Sequence, residues 1–260
     1  MFISAPYIPH VYDVMLSKNE SRKLGFIYPA YYGVDQDKYY YYIIAHMTSG
    51  GLVVFFTFIS CDTIYMNIVQ HACGLLLISG HRFKWAIEEM GGNNEKLNPT
   101  MLEGIHRRVC QSVKAHQHAI NYIERIEEMH HTYLFIVVLV VVLAFSITLL
   151  RASMMDPCVE FYKDCVFLVV QLVHLLFLAI QGHFVTVSHD QVYDSMYDAV
   201  WYNSTPRTQT LYMLALRRTL TPPLLTAGGL ISLNLETFSK ILKTSVSWFT
   251  VIKSTVKPED

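Results

Sequence analysis

Twelve histidines and five cysteines are the residues of this chain that could hold a metal or form a redox pair. His116-Gln117-His118 and His130-His131 are the tightest groupings. No H-x-x-x-H or C-x-x-C spacing accompanies them, so the sequence gives no metal-ligand pattern and no cofactor is expected. Cys61, Cys73 and Cys110 read as buried or inert thiols. No nucleophile motif, phosphate-binding glycine loop or carboxylate pair stands out, so the chain is not expected to be an enzyme. A different chemistry is visible near the end of the chain. Thr244, Ser247, Val251, Ser254 and Thr255 recur at helical spacing and form a stripe of small, mostly hydroxylated side chains. Such a stripe can be wetted, and wetting is what conduction needs.

The elements that would carry these residues are apolar. The 260 residues are 52% hydrophobic and 16% charged, where soluble domains carry roughly 25% charged residues. A net charge of -1 suggests no nucleic-acid partner. Charge-free runs at 39–61, 63–80, 132–150 and 165–189 read as membrane helices. From residue 39 to 80 only Asp62 is charged, and a helix of that length reaches about 63 Å, twice the roughly 30 Å of a bilayer core. Half of it must stand outside lipid. The run Tyr39-Tyr40-Tyr41-Tyr42 suits an interfacial aromatic belt, with Asp62 as a solvated or hydrogen-bonded residue at the other boundary.

Residues 67–131 continue as amphipathic helix, interrupted by a turn at Gly91-Gly92-Asn93-Asn94 and Asn98-Pro99. The run 132–150 spans, 151–164 is a polar loop, and 165–189 returns. Gln171, His174, Gln181, Gly182, His183 and Ser188 make this last run the wettest of the long spans, and such residues point at neighbours or cavities. Pro222-Pro223 and Gly228-Gly229 then break the chain. Residues 233–252 form a final helix of about 20 residues. Glu236, Lys240 and Lys243 lie within it, and each charge costs roughly 2.5–3.5 kcal/mol at a bilayer centre, so this helix cannot face lipid all round. The fold class is an all-α, polytopic membrane helix bundle with four membrane-spanning helices, one of them carrying a wettable stripe beside a water-filled path.

The last third of the chain adds a resemblance. Trp201-Tyr202, an Arg217-Arg218 pair ahead of Pro222-Pro223, and L-T-A-G-G-L-x-x-L-x-L-E-T-F-x-x-I-L-K-T-S-x-S-x-F-T-V over 225–251 resemble the C-terminal signature of insect odorant receptors. Gly182, Ser188 and the Y-x-x-x-W-Y of 197–202 match the same pattern upstream. The seven-helix G-protein-coupled alternative lacks a D-R-Y or N-P-x-x-Y signature. The resemblance implies seven membrane helices, an intracellular amino terminus, an outer carboxyl terminus and four subunits around one pore. It covers this chain from the loop before the fourth family helix onward, which implies a fragment lacking the first three helices.

On that frame residues 1–37 are an extracellular loop and 38–86 the fourth helix with its cytoplasmic extension. Residues 87–131 form a cytoplasmic turn and anchor helix, 132–150 the fifth helix, 151–164 an extracellular loop and 165–189 the sixth helix. Residues 190–232 are a cytoplasmic segment with the first half of the seventh helix, 233–256 its pore-lining half, and 257–260 an outer tail. The resemblance assigns 74–128 to subunit contacts. Lys and Arg are too evenly spread to orient the chain, so orientation comes from the resemblance alone. It makes Asn19 of Asn19-Glu20-Ser21 a candidate glycosylation acceptor. It also makes Cys158 and Cys165 a candidate disulfide near the outer face.

The resemblance further implies an odorant pocket with two remaining walls. These are Ala45, His46, Ser49, Leu52 and Val53 on the fourth helix, and Val169, Gln171, Leu172 and Leu175 on the sixth. The gate maps to Val251, following Phe249, with Ser254 and Thr255 one turn beyond at the outer mouth and Ser247 and Thr244 below. The implied function is a subunit of an odorant-gated, non-selective cation channel in the plasma membrane of olfactory sensory neurons. Its expected partners are the family's shared coreceptor in a heterotetramer, a small volatile odorant and membrane lipid. A gustatory-type chemoreceptor and a non-functional truncated receptor product are the alternatives.

Overall fold

The computed structural model of the chain describes residues 30–36, 38–88, 98–155 and 159–256. It divides into two compact units, residues 1–65 and 66–260. The helix α1 (Tyr40–Glu88) begins in the first and ends in the second.

In the first unit, a turn winds into α1 through Tyr39 N–H donating to the Asp35 carbonyl at 3.1 Å and Ile43 N–H donating to Tyr39 at 3.0 Å. Tyr40, Ile43, Ile44 and Met47 are buried, the i, i+3, i+4, i+7 spacing of one helix face. Beyond them the pattern changes. Leu52, Val53, Val54, Phe55, Phe56, Phe58 and Ile59 are all exposed, so this stretch is apolar around its whole circumference, as a helix in lipid is.

The second unit holds the rest of α1, α2 (Pro99–Met154), α3 (Val159–Tyr197), a single 3-10 turn at Trp201–Asn203, α4 (Pro206–Arg218), strands β1 (Thr226–Ala227) and β2 (Ile231–Ser232), and α5 (Leu235–Val256). The 56 residues of α2 make about 84 Å of helix, far more than a bilayer core. Its apolar part at 132–150 suits lipid, and its amphipathic part precedes it. There Ile105, Val109, Ser112, His116, Ala119, Ile120, Ile123 and Ile126 are buried on one face. The anchor helix and the fifth helix, expected as two elements, are therefore one. His130 and His131 do not interrupt it, because their Nδ1 atoms bond back to the carbonyls of Ile126 (3.0 Å) and Glu128 (2.9 Å).

Around this amphipathic half the packing is aromatic. Phe83 meets the His116 ring edge-on at 6.2 Å and the Tyr212 ring at 5.5 Å. Tyr212 stacks on Trp201 at 6.0 Å and 11°, and its hydroxyl donates to the Met196 carbonyl at 3.0 Å. Trp201 and Tyr212 thus pin α4 to the end of α3, which runs on to Tyr197. α4 starts at Pro206, with the Thr205 side chain accepting from Thr208 N–H at 3.4 Å. Proline is suited to that first position because its missing N–H has no partner there.

The expected break follows. α4 ends at Arg218, and the chain crosses Pro222-Pro223 into a two-residue antiparallel hairpin pairing Thr226 with Ser232 and Ala227 with Ile231. Gly228 (φ 67°) and Gly229 (φ 69°) make its turn in the left-handed region, where a Cβ is disfavoured. The hairpin docks on α2: Gly228 N–H donates to the His131 carbonyl at 2.9 Å, and the Thr226 hydroxyl bonds the Glu127 carboxylate. Asn234 then caps α5, its Oδ1 accepting from Thr237 N–H at 2.7 Å, which satisfies one of the orphan donors of a helix start.

Among the described residues the chain is all-α apart from this hairpin. Three helices among the described residues, α1, α2 and α3, are long and apolar enough to cross a membrane. The expected fourth span, α5, has 22 residues and a reach of about 33 Å. It is long enough, but Glu236, Lys240, Lys243 and Lys253 keep it from matching the other three in apolarity.

Candidate pore helix and ligand-facing surfaces

α5 has two distinct faces. Lys240, Lys243, Thr244, Ser247, Val251 and Ser254 are exposed, and their spacing sets them on one side of the helix. Ser245 is buried, and Phe238, Ile241, Leu242, Phe249 and Ile252 are half-buried on the other side, where α5 packs on α2 and α3. Four of the five expected pore residues, Thr244, Ser247, Val251 and Ser254, therefore share the open face; the Thr255 side chain lies outside the described residues. Lys243, Thr244, Ser247, Trp248 and Val251 line an open groove of about 520 Å³ along it.

Two hydroxyls on this face point their protons inward. Thr244 donates to the Lys240 carbonyl at 2.9 Å and Ser254 to the Val251 carbonyl at 2.7 Å. With the proton committed to the backbone, what each presents outward is an oxygen lone pair. That is an acceptor for water or a cation. At the start of the helix Glu236 and Lys240 form an ion pair at 2.6 Å, so part of its charge is neutralised within one turn.

The candidate ligand residues divide by unit. On α1, Ala45, His46, Ser49, Leu52 and Val53 are all exposed, on the face opposite the buried Ile43-Ile44-Met47 stripe. His46 Nδ1 lies 3.0 Å from the Tyr32 hydroxyl, their rings meeting edge-on, and Ser49 donates to the His46 carbonyl at 2.9 Å. Tyr32, Val34, Tyr39, Tyr42, Ile43 and His46 line an open cavity of about 480 Å³. On α3, Gln171 and Leu175 are buried and Leu172 half-buried, one turn apart on the same face. Val169 is 58% exposed and points away from Gln171. The buried Gln171 Oε1 has no hydrogen-bond partner among the described residues.

Asn19 and Cys158 lie outside the described residues, so the glycosylation acceptor and the disulfide with the half-buried Cys165 receive no structural description. The H-x-H pair is split by the helix: His116 is buried and His118 exposed. Among the described residues no three His, Cys, Asp or Glu side chains converge as a metal site would require.

Two contacts carry no sequence signal. Gly182 on α3 lies against Leu233, so closely that a Cβ built on it would sit 1.9 Å from the Leu233 carbonyl oxygen. Arg218, at the end of α4, pairs with Glu124 on α2 at 3.1 Å. Gly182 was visible as a glycine in a wet helix, but nothing in the chain named its partner.

A long-helix membrane bundle, broken before a final two-faced helix, is the class of protein these elements define. The family model described as 7tm Odorant receptor matches residues 2–246. The chain belongs to the odorant receptor family. Among solved structures it is similar to the insect olfactory receptor OR5 from Machilis hrabei, determined in complex with eugenol. The two are 12% identical, with a TM-score of 0.72 over 98% of this chain and 62% of that one. At that identity the likeness is one of fold, and this chain spans 62% of the length of that receptor. No curated protein matches the chain by sequence.

Proposed function

We propose that the whole protein is a subunit of an odorant-gated, non-selective cation channel, assembled as a heterotetramer with the family's shared coreceptor in the plasma membrane of olfactory sensory neurons. The observation that carries this reading is the open, hydroxylated face of α5 opposite a face packed on α2 and α3. A helix with charges and hydroxyls gathered on one open side, and its other side packed on neighbours, is suited to set that open side against water.

In this reading Thr244, Ser247, Val251 and Ser254 turn toward a shared axis, with α5 crossing the membrane as the fourth retained span. Val251 sets the constriction: a ring of such side chains closes a path by dewetting, and outward movement of α5 admits ions. Ligand favours the open arrangement by binding it more tightly. A mainly apolar lining suits small volatile molecules, which offer few hydrogen bonds. The segment 190–232 is cytoplasmic and the carboxyl terminus lies outside.

The test is electrical. Full-length receptor expressed with the coreceptor is screened against a panel of volatiles under voltage clamp. The reading requires volatile-evoked cation currents. Surface-expressed receptor that carries none across the panel, while the coreceptor responds to its own agonist, contradicts it.

A further inference from the structure

The segment joining α4 to the hairpin contains a hydroxyl that none of the roles above uses. Thr219, which caps the end of α4, is buried and donates to the Leu216 carbonyl at 2.7 Å. Thr221, two residues on, is exposed. Its Oγ1 donates to the Arg218 carbonyl at 3.1 Å and accepts from Arg218 Nη1 at 2.7 Å. The same Nη1 reaches the Thr221 carbonyl at 2.9 Å, while Nη2 holds Glu124 Oε1 of α2 at 3.1 Å. One guanidinium therefore stands between an exposed hydroxyl and a carboxylate of another helix. An arginine lies three residues before Thr221 and a proline directly after it. Thr221 closes the last turn of α4, its N–H donating to the Arg218 carbonyl at 3.4 Å, and Pro222-Pro223 keep the chain from continuing as helix beyond it.

We propose that Thr221 is a phosphorylation site whose phosphate draws Arg218 off Glu124. The step is transfer of the terminal phosphoryl group of a nucleoside triphosphate by a protein kinase. The bond from that phosphorus to its bridging oxygen breaks, the bond to Thr221 Oγ1 forms, the hydroxyl proton passes to the kinase's base, and the nucleoside diphosphate leaves. The new group carries about -1.5 to -2 charge and three strong acceptor oxygens. It is esterified to an oxygen already 2.7 Å from the guanidinium, and a bidentate Arg–phosphate pair is stronger than an exposed Arg–carboxylate contact. Losing the Glu124 contact releases the end of α4 from α2, immediately before the hairpin that leads into α5. Phosphate at Thr221 thus acts on the helix carrying the gate.

This proposal rests on the cytoplasmic placement of 190–232, and the experiment separates the two. Full-length receptor assembled with the coreceptor carries Thr221→Cys, and a membrane-impermeant thiol reagent is applied from each side. Inside-out membranes of the unmodified receptor are then treated with a proline-directed kinase and adenosine triphosphate, and phosphopeptides are mapped by mass spectrometry. The expected results are labelling from the cytosolic side and phosphate on Thr221 but not on Thr219. Thr221→Glu and Glu124→Gln should shift the half-activating odorant concentration in the same direction, by about two- to fivefold, the scale of one exposed ion pair. Cytosolic labelling without phosphate at Thr221 overturns the proposal, as does a Thr221→Glu shift opposite to that of Glu124→Gln. Labelling from the outer side alone overturns the orientation and the proposal with it.

Discussion

Gly182 and Leu233 touch backbone to backbone: a Cβ placed on Gly182 would lie 1.9 Å from the Leu233 carbonyl oxygen and 2.7 Å from the Leu233 Cβ. The contact joins α3, which bears Gln171 and Leu175, to the residue that leads into α5. Leu233 is itself held by its N–H donating to Leu225 at 2.9 Å, so it cannot retreat without opening the hairpin. Gly182→Ala should therefore push α3 and α5 apart, at the roughly 1–3 kcal/mol typical of overpacking. The expected outcome is a lower melting temperature of the purified receptor and altered evoked current. An unchanged melting temperature and current would mean the two elements separate freely.

The two glycines of the hairpin make a matched pair. Both have positive φ, but a Cβ on Gly228 would meet the Phe135 ring at 2.9 Å, whereas nothing lies within 4 Å of one on Gly229. Gly229→Ala meets only the backbone penalty of about 1–2 kcal/mol. Gly228→Ala adds a clash and strains the 2.9 Å bond to His131. Thermal unfolding should rank Gly228→Ala as the more damaging; equal losses would show that the hairpin is not docked on α2.

Tyr212→Phe tests the joint between α3 and α4. It keeps the ring stacked on Trp201 and removes only the hydroxyl that donates to Met196. An unpaired buried carbonyl costs about 1–3 kcal/mol, so a modest drop in melting temperature is expected, while Tyr212→Ala, which empties a fully buried site, should cost about 3–5 kcal/mol. Similar losses for the two variants would assign the joint to the hydroxyl and not to the ring.

Acid should weaken the amphipathic half of α2 through His116, which lies outside the apolar stretch 132–150. Ser79 donates its hydroxyl proton to the Leu76 carbonyl at 2.7 Å, so its oxygen accepts from His116 Nδ1 at 3.3 Å. His116 Nε2 is then left as a buried acceptor with no partner among the described residues. Burial first, then the nearby His189 and Arg218, hold its pKa down to about 4 from 6.5. Between those values the unfolded chain binds the proton and the folded chain does not, so stability is complete above pH 6.5 and falls as pH drops toward 4. The loss is on the order of 3 kcal/mol. Melting temperatures measured from pH 7 to 4.5 should fall less steeply for His116→Phe than for the unmodified protein; parallel curves would exclude His116 as the cause.

Much of the architecture was legible because lipid imposes a simple pattern. Charge-free runs located α1, the apolar half of α2 and α3, and Pro222-Pro223 with Gly228-Gly229 located the break. The helical spacing of Thr244, Ser247, Val251 and Ser254 located the open side of α5. The continuity of α2 was not legible, since the pattern changes from amphipathic to wholly apolar at 131–132 while the helix runs on unbroken. Nor was the hairpin, whose strands have two residues each, too few for any periodicity. Thr226–Glu127, Arg218–Glu124 and Gly182–Leu233 join residues 51 to 99 positions apart, and no local pattern encodes such pairs. On α3 the rotation of the helix was not readable, which is why the exposed Val169 does not share the buried side of Gln171 and Leu175.

Single cysteines placed along α5 in the full-length receptor, assembled with its coreceptor, test the channel account most directly. Water-soluble thiol reagent should modify positions 244, 247, 251 and 254 and alter the current, while 245 and 249 stay protected, giving a helical repeat of reactivity. Uniform protection of the open face, or modification of all positions without any effect on current, would contradict it.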